Sequence, residues 1–184
     1  MYGIKIRRPR AEDFEELMQL FIAVVEDTFK REGLSDLSDD RESEIESKKR
    51  YLQSDLDSNG EQRYFLIAVD QHHRIVGTIE YGPASELIHE CTNGTWDGLQ
   101  EVGTVFVLPE YQGRGIGTLL WSAMLLIFLG RGIHEFCLDS GYGRAQAMWR
   151  KKFGEPDYWL KDYWGPGHDH MIWRKNVRDV EIMV

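Results

Sequence analysis

Apolar positions recur along this chain at two spacings, and each spacing predicts its own kind of element. Ile4-Lys5-Ile6-Arg7 alternates and reads as a first strand, ended at Pro9, whose ring nitrogen has no hydrogen to give a ladder. Phe14, Leu17, Met18, Phe21, Val24 and Val25 recur every three or four residues, which predicts a helix with one core-facing stripe. Asp13, with Glu16 three residues on, is placed to cap it. A polar run at 33–40 then separates this helix from a charged helical stretch at about 41–56. Residues 64–69 and 74–81 are β-rich around Asp70-Gln71-His72-His73 and predict a hairpin. Residues 102–107 predict another strand, closed by Pro109, and an apolar helix follows until Gly130-Arg131-Gly132. Residues 133–139 then read as a parallel strand reached by a right-handed helical crossover. A helix at 144–153 and an aromatic-rich hairpin around Gly165-Pro166-Gly167 complete the chain.

The run 82–100 breaks this economy. It joins two strands where a tight turn would serve, and a connection that long is more often functional than idle. Glu86, His89, Glu90, Trp96 and Asp97 within it are candidate substrate contacts, against the plainer reading of surface decoration. The acids of 26–40 likewise suit either an acidic approach for a cation or a solvated helix end.

Composition narrows the class. A length of 184 residues, 42% hydrophobic and 29% charged, predicts one globular domain over 1–184 with a sizeable core. Cys91 and Cys137 are too few for a disulfide framework and no CxxC exists for a metal. His72-His73 and His168-Asp169-His170 lack a further ligand at metal spacing and read as turns, so no metal is expected. No signal-peptide core or membrane-length apolar run is present, and a cytoplasmic location is expected. The net charge of −9 argues against nucleic acid, whose phosphates need lysine and arginine, and favours a cationic acceptor.

The chemistry concentrates between Val102 and Leu129. A strand, then Gln112-Gly113-Arg114-Gly115-Ile116-Gly117, then a helix, is the order of a phosphate-binding loop. Gly113, Gly115 and Gly117 permit positive φ and close approach, so that successive N–H groups converge on an anion at a helix N-terminus. Each amide bonding a charged phosphate oxygen is worth roughly 1.5–3 kcal/mol. A P-loop would need Gly-Lys before Ser or Thr, and a dinucleotide fingerprint counted from Gly113 would need glycine where Thr118 stands. Neither pattern is met.

The pattern that is met, Gln112-x-x-Gly115-x-Gly117 after Val-Leu-Pro-Glu-Tyr and before Thr118-Leu119-Leu120, resembles the GNAT superfamily of acyl-CoA-dependent N-acetyltransferases. The Arg-Pro and Glu-Asp-Phe entry to the first helix is similar to that family too. The resemblance implies an α/β (α+β) fold: a mixed, largely antiparallel sheet of six or seven strands flanked by helices. It implies acetyl-CoA as co-substrate, its pyrophosphate at Gln112, Gly113, Arg114, Gly115, Ile116, Gly117 and Thr118, and its pantetheine along Val105, Phe106 and Val107. The implied activity is acetyl transfer to a primary amine of a small molecule or peptide, with no nucleic-acid or membrane partner; a homodimer is compatible with the sequence.

One part of the family pattern is absent. Aligned on Gly154, Arg150 stands where the family's thiolate-protonating tyrosine is often found, and Gly143 where an asparagine is common. Tyr142, before the last helix, is the substitute acid, since a phenol can protonate sulfur. Glu101, at the start of the 102–107 strand, is the candidate general base, against a plainer reading as a strand-edge acid. A bulge in this strand would scramble its side-chain alternation. The missing tyrosine also keeps open a catalytically weak acyl-CoA sensor or scaffold of the same fold, and the glycine loop alone is compatible with another nucleotide-dependent chemistry.

Overall fold

The computed structural model describes residues 3–182. Among them the elements are β1 (Lys5–Arg7), α1 (Phe14–Arg31), α2 (Ser38–Ser58), β2 (Tyr64–Val69), β3 (Ile75–Pro83), α3 (Glu86–Thr92), β4 (Gln100–Val107), α4 (Ile116–Arg131), β5 (Glu135–Ser140), α5 (Gly143–Phe153), β6 (Tyr158–Leu160) and β7 (His170–Asn176). The strands lie in the order β1-β2-β3-β4-β5-β7-β6, mostly antiparallel, with β4 and β5 parallel. This is the mixed α/β sheet the sequence predicts. The chain divides into two compact units, one of residues up to Tyr81 with Thr104–Ile127, the other of Gly82–Gly103 with Phe128–Glu181.

In the first unit, α1 turns Leu17, Leu20, Phe21, Val24, Val25 and Phe29 inward, and Phe21 meets Phe65 of β2 at 6.3 Å between ring centroids. Leu17, Phe21, Val24 and Val25 of the predicted stripe are buried, Phe14 and Met18 are half-buried, and Leu20 and Phe29 join the buried face; the predicted cap is not formed. Asp13 gives α1 no side-chain cap, because its carboxylate is taken by Arg7 at 2.7 and 2.8 Å and by the Arg10 amide at 2.7 Å. Glu16 reaches instead to the Ile75 amide at 2.7 Å. A full cation outcompetes a helix-end amide for a carboxylate. All six residues of β2 are buried, as befits a strand covered on both faces. The charged α2 attaches through Leu52 and through Asp55, whose carboxylate accepts from Arg8 at 2.8 Å and from the Phe65 amide at 2.9 Å. In α4, Ile116, Leu120, Trp121, Met124 and Leu125 are buried.

The second unit is built on β5. Its register sets Cys137 opposite Arg174, Asp139 opposite Ile172 and Glu101 opposite Cys137. Side chains two apart share a face, so Glu101, Cys137, Asp139, Ile172 and His170 lie on the same side. The run 82–100 covers that side, and it is not a bare loop. Ser85 caps α3 by accepting the Ile88 amide at 3.5 Å, and Asn93 at φ 50° with Gly94 at φ 72° ends the helix. Ile88 and Trp96 then pack against Cys137 and Ile172. On the other face Trp149 and Phe153 of α5 stack at 5.8 Å, and Phe136 meets Phe128 at 5.7 Å. Gly132 at φ 69° closes α4, its amide bonding Leu129 O at 3.3 Å while Ile133 N bonds Phe128 O at 2.9 Å. No helix of the described residues is long and apolar enough to cross a membrane.

Candidate functional site

The glycine turn is fastened before it begins. Pro109–Tyr111 forms one tight helical turn, from which Glu110 pairs with Arg74 at 2.8 Å and the Tyr111 hydroxyl donates to Asp70 at 2.8 Å. Asp70 also accepts the His72 and Arg74 amides at 2.9 Å each, so one carboxylate ties the β2–β3 turn to the loop's lead-in. Burial raises its pKa, but these donors outweigh burial and hold it below the usual carboxylate range. The same contact raises the Tyr111 phenol.

Gly113 and Gly115 adopt φ of 74° and 81°, the left-handed conformation the sequence predicts. Gly117 is a correction: it lies in the first turn of α4 and needs no positive φ. Its value is the absence of a side chain, since a Cβ at Gly113, Gly115 or Gly117 would meet no atom within 4 Å. The backbone is bare toward open space. The amides of Gly115, Ile116, Gly117 and Thr118 belong to the helix start, where N–H groups have no intrahelical acceptor. Arg114 lies over the Tyr111 ring at 5.2 Å and adds positive charge to the turn. Gln112 faces backward, its amide donating to Val107 O at 3.1 Å, and so fixes the turn to the strand. This arrangement suits a pyrophosphate.

The strand leading into the turn is kinked. Thr104 has φ of 47°, a left-handed value that is an outlier for a β-branched residue. It is buried, its carbonyl accepts from the Thr78 hydroxyl at 2.8 Å, and its hydroxyl donates to Glu80 at 3.1 Å. Glu80 is only 1% exposed and is bonded by Arg63 at 2.7 Å. Beyond the kink, Val105, Phe106 and Val107 are half-buried. Phe106 O faces β3 so closely that a Cβ on Gly77 would stand 2.9 Å from it. Backbone groups alternate along a strand, which directs those of Val105 and Val107 to the opposite edge. Nearby, burial opposes the charge of Lys48, yet Glu44 at 3.2 Å and Glu80 raise its pKa.

In the second unit, one oxygen of Glu101 accepts the Ser85 amide at 2.5 Å. Burial, with the charges of Glu101 and Asp139, pushes the Cys137 thiol well up. Tyr142 stands half-buried at the entry to α5, its amide bonded by the Ser140 hydroxyl at 3.2 Å. Arg150 is an exposed residue that pairs with Glu155 at 2.7 Å and covers Trp159 at 5.0 Å, so it is no replacement acid. Of the residues singled out in 82–100, Trp96 is core, stacked edge-on against Tyr158 at 5.2 Å. His89 and Asp97 are bonded to each other at 2.7 Å, which raises the His89 pKa. Glu86 and Glu90 are exposed.

His170, expected from the sequence in a turn, instead opens β7 and lies here. His170 is 4% exposed, with Nε2 at 3.0 Å from Asp139 and Nδ1 accepting from the Trp164 indole at 3.0 Å. An indole only donates, so Nδ1 is unprotonated and the proton sits on Nε2, facing the carboxylate. The signal was a histidine opening an apolar strand, His170-Met171-Ile172-Trp173, rather than one of a polar triplet. Among the described residues no group of three or more His, Cys, Asp or Glu side chains is arranged to hold a metal.

A family profile described as the acetyltransferase (GNAT) family matches residues 24–154. Among solved structures, PaiA N-acetyltransferase of Thermoplasma acidophilum in complex with coenzyme A superposes with a TM-score of 0.65 at 21% identity, covering 95% of this chain and 99% of that one. A ribosomal-protein-alanine N-acetyltransferase of Brucella melitensis gives 0.65 at 20% identity, covering 94% and 99%. A Brucella melitensis GNAT family acetyltransferase in complex with acetyl-CoA gives 0.54 at 22%, covering 80% and 82%. At such identities the structures share the fold. No curated protein matches the sequence.

Proposed function

Because the chain belongs to the GNAT acetyltransferase family, we propose that it is an N-acetyltransferase moving an acetyl group from acetyl-CoA to a primary amine of a small molecule or peptide. The observation that carries this reading is the bare turn at Gly113, Gly115 and Gly117, where added side chains would meet no atom within 4 Å. The similar structures in complex with coenzyme A and acetyl-CoA support it.

In this reading the amides of Gly115 to Thr118, with Arg114, receive the pyrophosphate, and Val105 and Val107 offer backbone groups to the pantetheine amides as a neighbouring strand would. An alkyl ammonium of pKa near 10.4 must lose a proton before it attacks the thioester, a demand of about 4–5 kcal/mol at pH 7. Glu101 takes that proton, directly or through a water, with the Ser85 amide orienting its carboxylate. The nitrogen then bonds the acetyl carbon and the carbon–sulfur bond breaks. Tyr142 gives its proton to the departing thiolate and is reprotonated by the second proton that the acylated nitrogen loses, so the products are an amide, free coenzyme A and the proton that Glu101 passes to solvent. The enzyme is assigned to the cytoplasm, acting as one domain on an amine and on neither nucleic acid nor membrane.

The second reading is a catalytically weak acyl-CoA sensor, favoured by Arg150 standing at the family's tyrosine position. Release of free coenzyme A from acetyl-CoA, measured across small amines and peptide N-termini, separates the two. Turnover with any amine, lost in Glu101→Gln and reduced in Tyr142→Phe, supports the enzyme. Saturable acetyl-CoA binding without turnover on any amine would leave the sensor.

A further inference from the structure

Thr104 pays for its conformation with contacts, and those contacts identify what sets the coenzyme edge. A threonine at φ 47° is held against its own side-chain sterics. Two side chains of β3 do the holding: Thr78 bonds its carbonyl at 2.8 Å and Glu80 bonds its hydroxyl at 3.1 Å. Glu80 is itself fixed from behind. Its other oxygen takes Arg63 at 2.7 Å, and that guanidinium lies 3.7 Å over the Tyr51 ring of α2. A buried carboxylate this fully bonded is a rigid acceptor. The consequence falls on the three residues that follow, because one left-handed residue rotates every backbone group after it.

We propose that Glu80, braced by Arg63, is a positioning residue for acyl-CoA: it locks Thr104 in the left-handed conformation and so aims the backbone edge of Val105 and Val107 at the pantetheine arm. The inference rests on the acetyl-CoA reading above and extends it to two side chains that do not themselves touch the coenzyme. It makes a specific demand. If Glu80 matters through Thr104, then a residue that adopts positive φ without help should make Glu80 dispensable, and glycine is that residue.

The test is acetyl-CoA affinity by calorimetry on the full chain, with circular dichroism confirming the fold, for the parent, Glu80→Ala, Thr104→Gly and the double variant. Glu80→Ala should weaken binding about tenfold or more, while Thr104→Gly alone stays within about threefold of the parent. The double variant should recover to near the Thr104→Gly value. A purely structural role for Glu80 would not be rescued in this way. Should Glu80→Ala fail to fold, Thr104→Val removes only the hydroxyl and leaves the Glu80–Arg63 pair intact. It should weaken binding in the same direction, and Thr104→Ser should restore it.

A double variant as weak as Glu80→Ala, or a folded Thr104→Val binding like the parent, would overturn the proposal while leaving the coenzyme reading standing. A parent that does not bind acetyl-CoA would sink both.

Discussion

Single residues decide the glycine turn and its surroundings, and the sequence exposed some of them better than others. Gly115 was readable because a phosphate turn needs both its positive φ and its bare backbone. Gly115→Val should weaken acetyl-CoA binding at least about tenfold and cost about 1–2 kcal/mol for the left-handed conformation; calorimetry beside urea unfolding separates the two effects. Undiminished affinity in a folded variant would remove the turn from the site. Glu80 was not readable, since an acid in an apolar strand looks like surface until its partners are placed, and the signal of His170 at the head of an apolar strand was masked by the polar triplet it ends. Asp13 was misread because its partner, Arg7, is invisible to a cap rule that counts only forward. The hydrogen bonds from Arg7, opposed by desolvation and aided by the Arg10 amide, lower the Asp13 pKa. A lowered carboxylate stabilises the fold above its ordinary value, about 3.9, and that stability is lost as pH falls through the lower folded value. Asp13→Asn should therefore cost about 1.5–3 kcal/mol at pH 7. Urea midpoints of the two proteins should converge as the pH is taken from 4 toward 2; a constant gap would mean the carboxylate's charge is not what Arg7 holds.

Strands, even the three-residue β1, and the long helices were legible, and the short helix α3 was not. Both α1 and α4 declared themselves through stripe and glycine stop, and the β2–β3 hairpin through its turn. Seven residues give α3 barely two turns, too few for a periodicity to emerge from Glu86-Leu87-Ile88-His89-Glu90-Cys91-Thr92. Long connections read as loops by default. What makes this one an element is a tertiary contact, Ile88 and Trp96 burying the face that carries Cys137 and Ile172. Trp96→Ala should consequently cost about 3–5 kcal/mol, a core loss rather than a surface one. Denaturant unfolding followed by near-ultraviolet circular dichroism measures it. A cost below about 1 kcal/mol would return the 82–100 run to surface decoration.

Taken entire, the molecule carries a charge of −9, and yet the co-substrate proposed for it is an anion. The far field of such a charge repels acetyl-CoA, so the proposed binding requires groups within a Debye length, about 8–10 Å, of the phosphates: the amides of the glycine turn and the Arg114 guanidinium. Composition showed the acidic balance and the motif showed the turn. Neither revealed that the chain folds as two compact units, because their boundaries at Tyr81, Gly103 and Ile127 fall inside or beside strands and helices without any linker composition. The two cysteines turn this architecture into something a bench chemist can count. Cys91 is partly exposed on α3, whereas Cys137 is buried in β5 with its thiolate form strongly disfavoured. A disulfide reagent should titrate one thiol in the native protein and two in denaturant. Two fast thiols without denaturant would contradict the packing of the 82–100 run. If only one reacts, a dye on Cys91 reports from α3 without mutagenesis, and the slow modification of Cys137 becomes a clock for the opening of the second unit.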